Sequence, residues 1–175
     1  MVRDKEATKA KLLEAALEEF ARYGIAGARV DRIAAKAGCN KAMIYAYFGS
    51  KEGLFEELLR IQIDRMVKSV PITADDLPGY AGRLFDSYAE HPELLRLAAY
   101  HRLENGFDAV PKAEAEAYQH KVAAVAQAQM EGKVSAAFNA SDLLDLVVHT
   151  SILAFSTPYA TRDLVERTVR RLVAE

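Results

Sequence analysis

The 175-residue sequence predicts an all-α fold. Apolar residues recur three and four positions apart along most of the chain, as Leu13, Ala16, Leu17 and Phe20 do. No segment alternates apolar and polar residues as a half-buried strand would, and glycine and proline are sparse. This length allows one domain or two closely joined ones.

The first three helices are predicted from the residues that end or cap them. Helix one is expected over about residues 5–23, with Gly24 ending it. Helix two ends at Gly38, which supplies the backbone freedom that a sharp helix exit requires. Helix three is expected over about residues 41–47, with Asn40 as its cap.

The later helices are predicted in the same way. Ser50 is a good N-cap for helix four, which we expect to run to about residue 70, before Pro71. The proline- and glycine-containing segment 71–79 is the clearest break in the chain. We expect helix five to end near residue 89. The four helices after it are expected over about residues 92–104, 111–131, 141–156 and from 162 onward.

Charge is distributed unevenly along the chain. Residues 1–51 contain ten Lys and Arg against six Asp and Glu, whereas the remainder contains thirteen against nineteen. A basic end on an acidic body is the expected sign for a phosphate-binding head. We therefore predict a first domain at residues 1–51 and a second at 52–175, linked by helix four over about residues 51–70.

Composition also bounds the location of the protein. The N-terminal residues are charged and lack an apolar signal core, and no apolar run approaches the length of a membrane span. One cysteine excludes an internal disulfide and fits a reducing compartment. These features lead us to expect a cytoplasmic protein without contact to a membrane.

The segment 29–51 contains two short helices joined by a tight, glycine-containing turn. The second of these helices exposes Lys41, Tyr45 and Tyr47 and is therefore basic and aromatic. A pair of helices with these properties is typical of a helix-turn-helix, which places its second helix in the major groove of DNA.

The same region resembles the N-terminal DNA-binding domain of the TetR family of bacterial transcriptional regulators. The matching segments are 12–20, 23–24, 30–34 and 37–38 and, most specific of all, the run Ile-Tyr-Ala-Tyr-Phe-Gly-Ser-Lys-Glu-Gly-Leu over 44–54. The resemblance covers roughly the first third of the chain. It implies a three-helix DNA-binding domain followed by a larger helical domain for ligand binding and dimerisation.

Phosphate contacts are expected from four residues. The family positions that match Tyr45 and Tyr47 commonly contact phosphate, and so does the position that matches Lys51 at the start of helix four. At Arg29 the family usually has Ser or Thr, which caps helix two. Arginine cannot cap in that way, and we expect Arg29 to hold a phosphate itself, with Asp31 or solvent serving the free N–H groups.

Base contacts are expected from the start of helix three. Asn40 suits adenine, Lys41 suits guanine, and the Ala42 methyl group suits the methyl group of thymine. Ile44 and Phe48 are predicted to seat the helix on its neighbours. The resemblance predicts a palindromic double-stranded DNA operator, and repression as the usual outcome of binding it.

The last two predicted helices indicate a homodimer. The first is apolar nearly all round and the second has one apolar and one charged face, so together they can cover the core and a second copy. The resemblance favours this interpretation over two helices that complete a monomeric core. The predicted interface residues are Leu144, Val147, Val148, Leu164, Arg167 and Arg171.

A small-molecule effector is expected in the second domain, where it would act on the head through helix four. Aromatic residues with a few polar groups suit a mostly apolar ligand. The predicted ligand-binding residues are Phe85, Tyr88, Tyr100, His101, Tyr118 and Phe155, with Phe107 and Met130 in a wider set.

The sequence favours two other functions less than a DNA-binding regulator. An enzyme is disfavoured because the four histidines are scattered and no hydrolase, metal-binding or phosphate-loop motif occurs, so we expect no catalysis, metal or cofactor. The second alternative is a helical dimeric protein-interaction module, or a ligand-binding protein without a DNA role. The basic, tyrosine-bearing head favours DNA over both.

Overall fold

The computed structural model describes residues 2–106 and 108–174, so that Phe107 lies outside the described residues. Helices follow one another through this part of the chain and no strand occurs in it, which confirms the all-α prediction. The helices are α1 Val2–Gly27, α2 Val30–Ala37, α3 Ala42–Phe48, α4 Lys51–Ser69, α5 Leu77–Glu90, α6 Pro92–Asn105, α7 Lys112–Met130, α8 Ala140–Ser151, α9 Leu153–Ser156 and α10 Arg162–Val173.

The helices form two compact units. The first contains the chain up to Ile63 together with Glu93–Pro111, and the second contains Asp64–Pro92 together with the chain from Lys112 onward. Helix α4 therefore contributes its first part to one unit and its last turns to the other. Each unit has its own apolar core, as expected for elements that must bury one face.

The core of the first unit is built by α1, α2, α3, the start of α4 and α6. Phe20 and Phe55 meet edge to face with ring centres 5.2 Å apart, which is a favourable geometry for two aromatic rings. Ile33 and Ile44 are fully buried and hold the two helices of the helix-turn-helix in this core. The prediction that Ile44 packs α3 against its neighbours is confirmed. Phe48, which was predicted for the same role, is half-buried.

The core of the second unit is built by α5, α7, α8 and α10. Its fully buried side chains are almost all apolar and come from every one of these helices. They include Leu77, Tyr80, Leu84, Val125, Leu143, Leu144, Val147, Val165 and Val169.

Two helices differ from their predicted extents. Helix α1 continues to Gly27 across a break at Gly24, which has φ of 68°. A Cβ atom at this position would lie 3.3 Å from the ring of Tyr100 on α6, so the absence of a side chain also lets that ring approach.

The predicted eighth helix is divided into α8 and α9 at Ile152. The hydroxyl groups of Thr150 and Ser151 donate to the carbonyl oxygens of Leu146 and Val147, four residues earlier. Such bonds compete with the helical ladder and bend helices. Both bonds lie in the last turn of α8, directly before the division at Ile152.

Candidate nucleic-acid interface

The turn between α2 and α3 has the geometry that its residues predict. Gly38 adopts a left-handed conformation, with φ of 66° and ψ of 34°, and its N–H group closes the end of α2. The Asn40 side-chain oxygen accepts a hydrogen bond of 2.9 Å from the N–H group of Ala42, at the start of α3. The helix exit at Gly38 and the capping role of Asn40 are thus confirmed.

One face of α3 is directed to solvent. Lys41, Ala42, Tyr45 and Ala46 are all exposed, and half of the Tyr45 surface is accessible. These positions are one and four residues apart, so they share one side of the helix. Ala46 was not among the predicted contacts, although its spacing of four from Ala42 would have placed it on this face.

Tyr47 has different surroundings from Tyr45, because two helical positions two residues apart point about 200° away from each other. The Tyr47 side chain is half-buried, and its ring meets Phe48 edge to face with centres 6.1 Å apart. Arg29, at the start of α2, is exposed and makes no ion pair with any residue that the structure describes. The phosphate contacts predicted for Tyr47 and Arg29 stay predictions.

Two of the predicted DNA-contacting lysines have partners within the protein. The Lys41 ammonium lies 3.1 Å from a carboxylate oxygen of Asp31 on α2. The Lys51 ammonium donates a 2.7 Å hydrogen bond to the carbonyl oxygen of Ile25, which ties the start of α4 to the end of α1. Because an ammonium group has three donors, each lysine keeps hydrogens for a phosphate or a base.

Glu19 on α1 holds the start of α2, a role that sequence reasoning missed. Its carboxylate accepts hydrogen bonds from the Arg29 backbone N–H at 2.8 Å and from the Arg32 guanidinium at 2.7 Å. Helix α2 has no side-chain cap of its own, and this carboxylate instead binds the N–H group of Arg29, the residue before the helix. For the N–H groups of the first helical turn, Asp31 or solvent stays the prediction.

The ionisation of Glu19 reflects the same contacts. Burial alone would raise the pKa of this carboxyl group, but the hydrogen bonds from Arg32 and from the Arg29 backbone outweigh burial and lower the pKa. Arg32 also lies 4.4 Å from the centre of the Tyr23 ring, in a cation–π contact. Glu19 is thus a charged, paired residue that fixes α2 against α1.

A second ion pair joins α1 to α4. The Lys9 ammonium donates to the Glu57 carboxylate at 2.9 Å, and Arg60 on the same helix donates to the other oxygen at 2.9 Å. The hydrogen bond from Arg60 lowers the pKa of Glu57 to about 2, with Lys9 adding to this and burial opposing it.

The residues predicted to bind a ligand fall in both compact units. Tyr100 and His101 belong to the first, where the buried His101 stacks on Phe55 with ring centres 6.4 Å apart and its Nε2 atom lies 3.3 Å from Glu56. The others belong to the second: Phe85 and Tyr118 are half-buried, Tyr88 is buried and Phe155 is exposed. No contact described here assigns any of them to a ligand.

The predicted dimer residues also have different surroundings. Leu144 and Val147 are fully buried in the core of the second unit, which leaves them no surface to offer to another copy. Val148 is half-buried, whereas Leu164, Arg167 and Arg171 on α10 are exposed. Leu146 and Phe155 are exposed apolar residues of α8 and α9 that the predicted interface omitted.

Two family models match the chain. Residues 12–58 match the model described as bacterial regulatory proteins, tetR family, and residues 76–175 match the tetracyclin repressor-like C-terminal domain. The second match alone spans more than half of the chain. The chain belongs to the TetR family. It is a DNA-binding transcriptional regulator, and such regulators are not enzymes.

Individual relatives agree with this family. The chain is 48% identical over 166 residues to the HTH-type transcriptional repressor SCO4008 of Streptomyces coelicolor, covering 93% of this chain and 86% of that one. It is 33% identical over 110 residues to the transcriptional repressor NicS of Pseudomonas putida, covering 58% and 51%.

Solved structures of transcriptional regulators have the same fold. The crystal structure of SCO4942 from Streptomyces coelicolor superposes with a TM-score of 0.84 at 32% identity and covers 95% of this chain and 98% of that one. FadR from Bacillus subtilis, in complex with stearoyl-CoA, has a TM-score of 0.69 at 20% identity over 94% and 97% of the two chains. At that identity the second likeness shows the fold alone.

Membrane-spanning helices and metal sites are two further features that bear on function. Within the described residues, no helix combines the length and apolar character of a membrane span. Among those residues there is also no group of three or more His, Cys, Asp or Glu side chains placed to hold a metal ion.

Proposed function

We propose that this TetR-family regulator binds a palindromic operator as a homodimer and releases it when a small molecule binds the second unit. The exposed face of α3 carries this proposal, since it presents Lys41, Ala42, Tyr45 and Ala46 from a helix seated by the buried Ile44. A recognition helix enters the major groove with such a face. We further propose that the DNA-binding domain is residues 1–51 and that the regulatory domain is 52–175.

The contacts with DNA divide into two groups. Arg29, Tyr45, Tyr47 and Lys51 are proposed to hold phosphates and so to set the register of the head on the duplex. Asn40, Lys41 and Ala42 are proposed to read base edges, and the exposed Ala46 joins them. Lys41 can keep its ion pair with Asp31 while a remaining ammonium hydrogen binds a base edge.

The dimer surface is proposed on α8, α9 and α10. Its exposed apolar residues are Leu146, Phe155 and Leu164, with 39%, 47% and 38% of their surfaces accessible. Arg167 and Arg171 are also exposed on α10, three and seven positions after Leu164, and they suit the polar rim of an interface. A self-complementary surface of this kind closes as a two-fold dimer.

Selection of bound duplexes from a random DNA pool tests the proposed operator. The expected result is enrichment of a short palindrome, with an affinity that falls steeply as salt is raised, because several cationic side chains displace counterions. A chain that remains folded and enriches no sequence, with and without candidate effectors, would contradict the proposal.

A double variant tests the head. In the proposed homodimer, Tyr45→Ala with Lys51→Ala removes four contacts, two from each head. Operator binding should weaken by about a thousandfold, since each contact is worth roughly 1 kcal/mol. Titration of the labelled operator measures this loss, and circular dichroism checks that helicity is retained. Arg102→Ala, a change on α6 outside the proposed interface, is the control and should leave the affinity unchanged. A helical double variant that binds the operator as tightly as the parent would exclude these two contacts.

A further inference from the structure

Two polar side chains of the second unit, Tyr80 and Lys121, are not among the proposed DNA contacts. Tyr80 on α5 is fully buried, and its hydroxyl group makes no hydrogen bond to any residue that the structure describes. Lys121 on α7 places its ammonium nitrogen 5.9 Å from the centre of the Tyr80 ring. Neither residue was among the predicted ligand contacts.

The unpaired hydroxyl is unusual for this unit. Ser151 is a buried polar residue of the same unit, and its hydroxyl group donates to the Val147 carbonyl oxygen at 2.9 Å. Buried polar groups in folded proteins nearly always have a partner, because an unpaired one is destabilising. The Tyr80 hydroxyl is therefore available to a partner that the described residues do not provide.

Lys121 is half-buried beside the Tyr80 ring. Burial lowers the pKa of its ammonium group, and the nearby charge of Glu114 offsets only part of this effect. Burial also raises the pKa of the Tyr80 hydroxyl, with the neighbouring Tyr88 adding to the shift. Perturbed titratable groups that lie together in an interior are characteristic of binding sites.

We propose that Tyr80 and Lys121 form the polar end of a binding site for an apolar carboxylic acid in its ionised form. Both groups donate hydrogen bonds, one of them carries a positive charge, and a carboxylate has two oxygens that only accept. The interior around them is apolar, so the rest of the molecule is expected to be apolar as well. A cationic ligand would instead meet the Lys121 charge at close range. This inference rests on the proposed function, in which a small molecule binds the second unit.

Matched sets of probes test the ligand class on the full chain. One set is decanoate, decanol and decylammonium, and the other is 2-naphthoate, 2-naphthylmethanol and 2-naphthylmethylammonium, all below their micelle-forming concentrations. Thermal unfolding and isothermal calorimetry measure binding without DNA. The expected result is that a carboxylate of at least one set binds and raises Tm, while its alcohol and ammonium counterparts bind at least tenfold more weakly.

Variants then locate the site. Lys121→Met should weaken binding of that carboxylate by about tenfold, and Tyr80→Phe by about fivefold, since each loses a donor. Lys112→Met is the matched control on the same helix, because its side chain is 90% exposed, and it should leave binding unchanged. If Lys121→Met does not fold, Lys121→Gln gives the same comparison.

Several results would overturn the inference. They are the failure of both carboxylates to bind, equal or tighter binding of the ammonium probes, and binding that survives a folded Lys121 variant. Operator titration with each probe separates this inference from the proposed function. An operator released by a compound other than a carboxylate would leave the proposed function standing and remove this one. A carboxylate that binds through Tyr80 and Lys121 without changing operator affinity would establish the site and contradict ligand-dependent release.

Discussion

The buried carboxylate beside the start of α2 and the buried Tyr80 hydroxyl of the second unit differ in whether the chain provides a hydrogen-bond partner. Glu19 is a buried carboxylate that accepts from both Arg29 and Arg32. Tyr80 is a buried hydroxyl that has no partner among the described residues. A helix-turn-helix must hold its reading face in one geometry, so its interior charges are paired. A ligand site needs polar groups that remain available to a molecule from outside.

The largest effect in this comparison is expected at Glu19. Glu19→Gln should lower the free energy of unfolding by about 2 kcal/mol, because the charge-assisted bond to Arg32 is lost and the start of α2 is held less firmly. Urea unfolding measures this change. Glu18→Gln is the matched control, since Glu18 is exposed and pairs with Lys36 at the surface, and it should cost about 0.5 kcal/mol or less. Equal losses in the two variants would mean that Glu19 does not hold α2.

A smaller effect is expected from acid at Glu57. Its pKa of about 2 lies below the ordinary value of 4.5, so the contact stabilises the fold above pH 4.5 and is lost as the pH falls toward 2. The loss should be about 1 kcal/mol, because a quarter of the Glu57 side chain is exposed and solvent screens the pair.

The measurement for Glu57 is a pair of unfolding curves across this pH range. Because other carboxylates titrate there too, the informative quantity is the difference between the parent and Glu57→Gln. This difference should shrink as the pH falls from about 4.5 to about 2. A difference that is constant across the range would show that Glu57 does not titrate as an ion-paired group.

The smallest expected effect, and the one of opposite sign, is at Tyr80. Tyr80→Phe removes a buried hydroxyl that lacks a partner, so the unliganded chain should become more stable by up to about 1 kcal/mol. Tyr118→Phe is the control, because its half-buried hydroxyl lies 3.5 Å from the Ser141 carbonyl oxygen, and it should be neutral or slightly destabilising. A clear loss of stability in Tyr80→Phe would mean that the hydroxyl makes a stabilising hydrogen bond in the folded chain. The contrast with Glu19 would then be wrong.

Local chemistry in the sequence was sufficient for the fold class and for most helix ends. Gly38 ends α2 in a left-handed conformation, Asn40 accepts at the start of α3, and the Ser50 hydroxyl accepts from the N–H group of Gly53 at 3.0 Å. Each of these interactions joins residues only a few positions apart, so the sequence contains all the information they need. The family run at residues 44–54 is local in the same sense.

Tertiary structure decided the contacts between distant residues. Lys51 reaches the Ile25 carbonyl oxygen 26 positions away, and Glu19 binds the Arg29 N–H group from ten positions earlier in the chain. Only packing shows that Leu144 and Val147 face the core, or that Tyr80 is buried near Lys121. Helical periodicity specifies which residues share a face, but the partner of that face depends on how the whole chain packs.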